Sequence, residues 1–182
     1  MTTVPDEIVE RIRSYLAHNA AKEPRAITEL VQTGHDQLGG LLEGLSEEQA
    51  RFKPGPDDWS VLELLRHVVV TKRGVARVCE TLARGEQPAG LGGEGEARAQ
   101  DGVMGEEFPS LAQARAATQE AHEQLLSFLG RLSPAANTEA RFRHFLFGDL
   151  NCREWAAFQR IHDGDHAGQI EKIRAAPGFP PT

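Results

Sequence analysis

The stretch NCREWAAFQRIHDGDHAGQIEKIR, residues 151–174, decides how the chain folds. Asn151 offers an N-cap oxygen and Glu154 follows at the spacing of a capping box, so a helix opens here. Pro177 cannot continue that helix, which places its end near Ala176. On a wheel advancing about 100° per residue with His162 at zero, His166 falls near about 40°, and Trp155, Phe158, Gln169 and Ile173 lie within roughly 40°. Two histidines and a glutamine thus share the apolar stripe that must face a core.

A single histidine on such a face is ordinarily a hydrogen-bonded core residue. Two of them one turn apart, followed by Gln169, are several polar groups in need of a shared partner. Imidazoles at i and i+4 stand about 5–6 Å apart at Cβ and can converge on one ion. A divalent metal satisfies both rings at once, and it calls for a third ligand from another helix.

Working outward, Ser60 and Glu63 repeat the cap signature before the apolar run Val61 to Leu65, predicting a helix to about Arg84. The prolines at 54 and 56 force a turn ahead of it. Further upstream Pro24 restarts the chain, and apolar residues at 27, 30, 31, 38, 41, 42 and 45 mark another helix, weakened by Gly39 and Gly40. Pro5 and Asp6 open a short helix to about His18, so residues 1–22 form an N-terminal extension or short extra helix.

From Ser110 to Leu132 the alanine, glutamine, glutamate and leucine content favours a helix, with Leu111, Ala114, Thr118, Leu125 and Leu129 on one stripe. Residues 85–109 hold seven glycines and many charges without periodicity and read as a flexible crossover. Arg141 to Gly148 alternates aromatic and polar residues in a short extended or loop segment. With no strand order and no internal repeat, the expectation is an all-α chain, a four-helix bundle, with residues 1–182 forming one domain.

Composition narrows the function. The chain is 40% hydrophobic and 26% charged, which is ordinary for a globular protein. A formal net charge of -7, with only Arg141 and Arg143 as a local basic excess, disfavours nucleic-acid binding. No apolar run is long enough to span a membrane and the N-terminus lacks signal-peptide character, so a cytoplasmic protein with no membrane partner is expected. Cys79 and Cys152 are too few and too far apart for a disulfide framework or a CxxC site, and read as buried reduced thiols.

The third ligand is open among His18, His35, His67, His122 and His144. His67 ranks first, although the stripe of Val61, Leu64, Val68, Val75 and Leu82 is centred some 90° away, leaving His67 at the core's edge beside Thr71 and Gly74.

Trp59-Ser60-x-x-Glu63-x-x-x-His67, followed far downstream by His162-x-x-x-His166-x-x-Gln169-Ile170, resembles the DinB-like (DinB/YfiT-like) superfamily of metal-binding four-helix bundles. Phe147-Gly148-Asp149-Leu150 with Glu154-Trp155 is similar to that family's lead-in to its last helix. The resemblance implies an up-down-down-up bundle with a long crossover between its second and third helices, and His67, His162 and His166 as a metal-binding histidine triad. It also implies zinc or nickel as the metal and a homodimer as the assembly. Some relatives transfer low-molecular-weight thiols, and many have no assigned activity.

Three neutral imidazoles leave a divalent ion its full charge and an open position, as in catalytic sites. The expected function is therefore a transferase that activates a small-molecule thiol for attack on a small electrophile. The alternatives are a metal-dependent hydrolase and a non-catalytic metal-binding dimer of the stress response. Glu63, Asp163 and Asp165 are candidates for orienting the rings. Gln169, His144 and Arg143 are candidates for catalytic or ligand contacts. Trp59 and Trp155 read as core anchors.

Overall fold

The computed structural model describes residues 4–89 and 107–181. Helix α1 spans Asp6–Ala20, α2 Pro24–Gly40, the short α3 Glu47–Arg51, α4 Val61–Ala83, α5 Leu111–Arg131 and α6 Cys152–Arg174. The capping boxes expected at Ser60 and Asn151 are both present, each cap oxygen accepting from the backbone of the third helical residue while Glu63 or Glu154 reaches back. Four orphan donors are thereby satisfied at the starts of the two helices that carry the histidines.

Side-chain pairings give the helix directions. Along α4 and α6 the partners run in opposite senses, with Lys72 on Asp163 and Cys79 on the Cys152 carbonyl. Helices α2 and α6 run together, since Gly34 lies beside Arg160 and the Leu41 carbonyl accepts from Arg174. His35 meets Gln119 and His122 meets Gln32, which sets α5 against α2. Arg73 pairs with Glu120 and Arg131 with Glu80, so α4 and α5 are parallel. The bundle is up-down-down-up, and α1 packs against α6 outside it.

Two readings of the sequence change. The helix from Pro24 stops at Gly40 instead of carrying its apolar pattern to Leu45; Gly44 turns the chain at φ +71°, and Ser46 with Gln49 caps the separate α3. Apolar periodicity could not see that break, because Leu42 is buried in the core regardless of its backbone state. The segment read as extended or loop forms an antiparallel hairpin, β1 Phe142–His144 and β2 Gly148–Leu150, with Arg143 opposite Asp149. Of the expected 85–109 crossover, residues 90–106 lie outside the described residues.

The core has two apolar halves. Leu16, Ile27, Val75, Leu82, Leu125 and Trp155 belong to one; Leu38, Val61, Leu65, Leu111 and Ile170 belong to the other. Between them every bundle helix contributes buried polar residues at the same level: His35 from α2, Lys72 from α4, Thr118 and His122 from α5, and Gln159, His162, Asp163 and His166 from α6. Burying that many polar groups costs stability unless they are paired with one another or with a ligand. This mid-bundle layer holds the candidate site.

Candidate metal centre

His162 and His166 occupy successive turns of α6 and His67 faces them from α4. His67 Nε2 lies 3.2 Å from His162 Nε2, and His166 Nε2 lies 3.1 Å from His162 Nε2. One nitrogen from each ring falls within 4.8 Å of the others, the one such cluster among the described residues. Nitrogens bound tetrahedrally to zinc at about 2.0–2.1 Å stand about 3.3 Å apart, so the observed separations suit a single ion.

The electrostatics keep these rings neutral. Burial lowers the pKa of His67 to about 4, helped by the neighbouring His166, and burial followed by His162 lowers that of His166 to about 4. His162 is also lowered, first by burial and against the pull of Asp163. Neutral imidazoles keep a lone pair available, which a cationic ring lacks.

His166 has a defined orientation. Gln169 donates through Nε2 to Asp165 Oδ2 at 3.0 Å, so its amide oxygen faces His166 Nδ1 at 3.1 Å. That oxygen accepts an N–H, which puts the His166 proton on Nδ1 and leaves Nε2 bare. Gln169 therefore orients the His166 ring, and Asp165 both holds the Gln169 amide and acts on the ring through its charge. His67 is half-buried, with Trp59 against it at 5.4 Å between ring centroids and Thr71 Oγ1 3.5 Å from its Nε2.

Asp163 is fully buried. Its Oδ2 accepts from Lys72 Nζ at 2.7 Å, and its Oδ1 lies 4.0 Å from His162 Nδ1. Burial alone would raise this carboxyl, but the His162 ring and the Lys72 ammonium outweigh it and hold the pKa at about 2. Glu63 does not reach the rings; it is engaged at the Ser60 cap and with Lys53 at 3.1 Å.

The hairpin residues also take structural roles. His144 is buried, its Nδ1 accepting from the Leu146 and Phe147 amides while its ring packs on Phe147 and Phe158. It organises the hairpin turn. Arg143 is exposed and lies 3.7 Å from Asp149 Oδ1 on the paired strand. His18 is exposed, and His35 and His122 stack on each other at 3.8 Å, so neither joins the cluster. Trp155 is the expected core anchor, donating to the Phe142 carbonyl at 3.1 Å. Both cysteines are free and buried, with burial raising their pKa values.

Sequence reasoning placed Thr71 beside His67 without giving it a role, and passed over Lys72. A legible signal existed for Lys72, which falls within about 60° of the centre of the α4 apolar stripe. Thr71 gave none, since a threonine one turn from a core-edge histidine is unexceptional.

A family model for the DinB superfamily matches residues 30–170. The crystal structure of TT2238, a four-helix bundle protein, is similar with a TM-score of 0.61 and 19% sequence identity, covering 81% of this chain and 98% of that one. At that identity the likeness shows the fold alone. No curated protein matched. Among the described residues, no helix is long and apolar enough to cross a membrane.

Proposed function

The chain belongs to the DinB superfamily, and on that premise we propose that His67, His162 and His166 hold one divalent metal ion, zinc or nickel, at which a low-molecular-weight thiol is activated for attack on a small electrophile. The observation that carries the reading is the placement of the His166 ring, with Nδ1 3.1 Å from the Gln169 amide oxygen and Nε2 3.1 Å from His162 Nε2. With a proton on Nδ1 toward Gln169, Nε2 is bare inside a cluster of three neutral rings. A shared cation turns crowded lone pairs into ligands.

A divalent ion held there would supply Lewis acidity, lowering the pKa of a bound thiol so that its proton is lost to water near neutral pH. The protein's part is to hold and to exclude. Asp165 fixes the Gln169 amide and Gln169 fixes His166. Phe158, itself buried, packs against His162 at 5.6 Å between ring centroids. The half-buried His67, with Trp59 and Thr71 beside it, marks the open approach. The Thr71 hydroxyl can donate to an anionic sulfur arriving there.

Elemental analysis of protein purified without an affinity tag tests the first half. The wild type is expected to carry metal, and His67→Ala, His162→Ala and His166→Ala to lose it; low content unchanged by all three overturns the site. The thiol step is tested on cobalt- or nickel-substituted protein. A low-molecular-weight thiol is expected to change its visible spectrum, and a spectrum indifferent to every cellular thiol class overturns that step while leaving the metal site standing.

A further inference from the structure

Lys72 is the residue that the proposed chemistry leaves unused. Its ammonium is wholly buried and donates to Asp163 Oδ2 at 2.7 Å. A buried ion pair adds little to stability, because desolvating both charges offsets their attraction and an apolar pair of similar volume packs as well. Joining α4 to α6 therefore does not account for it.

The other carboxylate oxygen does. Asp163 Oδ1 and His162 Nδ1 are 4.0 Å apart, both buried, and neither has another hydrogen-bond partner among the described residues. The two atoms are complementary, an acceptor facing a ring nitrogen that can carry a proton. Buried polar groups are nearly always paired, and a small rotation of either side chain closes this gap. Gly34 on α2 keeps the space, since a Cβ there would sit 3.4 Å from Asp163 Cβ and 3.2 Å from Arg160 Cδ.

We propose that Lys72, Asp163 and His162 form a positioning chain: Asp163 accepts the His162 Nδ1 proton and so turns a bare Nε2 toward His67 and His166, while Lys72 anchors the carboxylate and balances its charge. The proposal rests on the metal reading above. It gives the two histidines of α6 unlike supports, a neutral amide behind His166 and a buried carboxylate behind His162. A carboxylate makes the ring a stronger donor, so His162 becomes the tightest of the three ligands.

The test separates orientation from packing. Zinc affinity is measured by competition with a chromophoric chelator, alongside thermal unfolding, for wild type, Asp163→Asn and the apolar double variant Lys72→Met with Asp163→Leu. In Asp163→Asn the lysine claims the amide oxygen, so the NH₂ group faces His162 and favours the wrong tautomer; zinc binding should weaken roughly 10- to 100-fold. The double variant removes the buried charges and should unfold near the wild-type temperature while still binding zinc roughly 10- to 100-fold more weakly. A double variant with wild-type zinc affinity overturns the proposal and leaves a purely structural ion pair. Nitrogen-15 NMR of zinc-loaded wild type provides a second readout that needs no variant: His162 is expected to carry its proton on Nδ1, and a proton on Nε2 overturns the chain. Wild-type protein that binds neither zinc nor nickel overturns the metal reading and this proposal with it, whereas metal binding indifferent to Asp163 overturns this proposal alone.

Discussion

His67 Nε2 on α4 and His162 Nε2 on α6 lie 3.2 Å apart although 95 residues separate them in the chain. That contact crosses the seam between antiparallel helices, so a ligand shared by the two rings ties α4 to α6. Ligand binding to the folded state alone raises stability by mass action. At a free zinc concentration about 100 times Kd, the wild type should gain about 2.7 kcal/mol against thermal or chemical unfolding. His162→Ala should show no such gain, and an equal gain in both would place the ion elsewhere.

Gln169 accepts from His166 and is itself held by the exposed Asp165. Gln169→Leu removes the acceptor for the His166 Nδ1 proton and should weaken metal binding roughly 10-fold or more. Asp165→Asn keeps an acceptor for the Gln169 amide and should change affinity far less. Chelator competition on the two variants checks the order; equal losses would refute the division of roles.

Thr71 Oγ1 sits 3.5 Å from the His67 nitrogen that faces the cluster. Thr71→Val preserves shape without the hydroxyl, so metal content should stay at the wild-type level. Thiol affinity of the cobalt form should fall roughly fivefold, the worth of one hydrogen bond of about 1 kcal/mol, and Thr71→Ser should restore it. Titrations followed in the visible spectrum read both quantities.

His122 and His144 are buried outside the cluster, and burial lowers both pKa values to about 3, with His35 adding to the effect at His122 and His162 at His144. In the unfolded chain each titrates near about 6.5. Between those values the unfolded state binds protons that the folded state refuses, so stability falls as pH drops below about 6.5. Each ring should cost on the order of 2 kcal/mol between pH 7 and pH 5. Urea unfolding across that range should show the slope, and His122→Gln should flatten its share.

Much of the fold was legible because helix signals are local. Ser60 with Glu63, and Asn151 with Glu154, announced the two helix starts that carry the histidines, since a cap needs only neighbours within one turn. The i, i+4 spacing of His162 and His166 on an apolar stripe likewise required no knowledge of the rest of the chain. The hairpin escaped because its strands are three residues each, too short for a period to declare itself. The structural role of His144 escaped for the same reason: its Nδ1 partners are the Leu146 and Phe147 amides of a turn that the sequence does not advertise.

The DinB resemblance already named His67, but its periodicity put it only at the core's edge, beside a stripe that seemed to face elsewhere. Its contact with His162 depends on the axial register between α4 and α6, which is set by how whole helix faces interlock and not by any residue near His67 in sequence. The same register brings Lys72 onto Asp163 and leaves the second carboxylate oxygen toward His162. Local chemistry in residues 151–174 determined the helix and two converging imidazoles. Tertiary packing decided that His67 would meet them and that His35 and His122 would stack on each other instead, because which rings converge is a property of helix faces across a core.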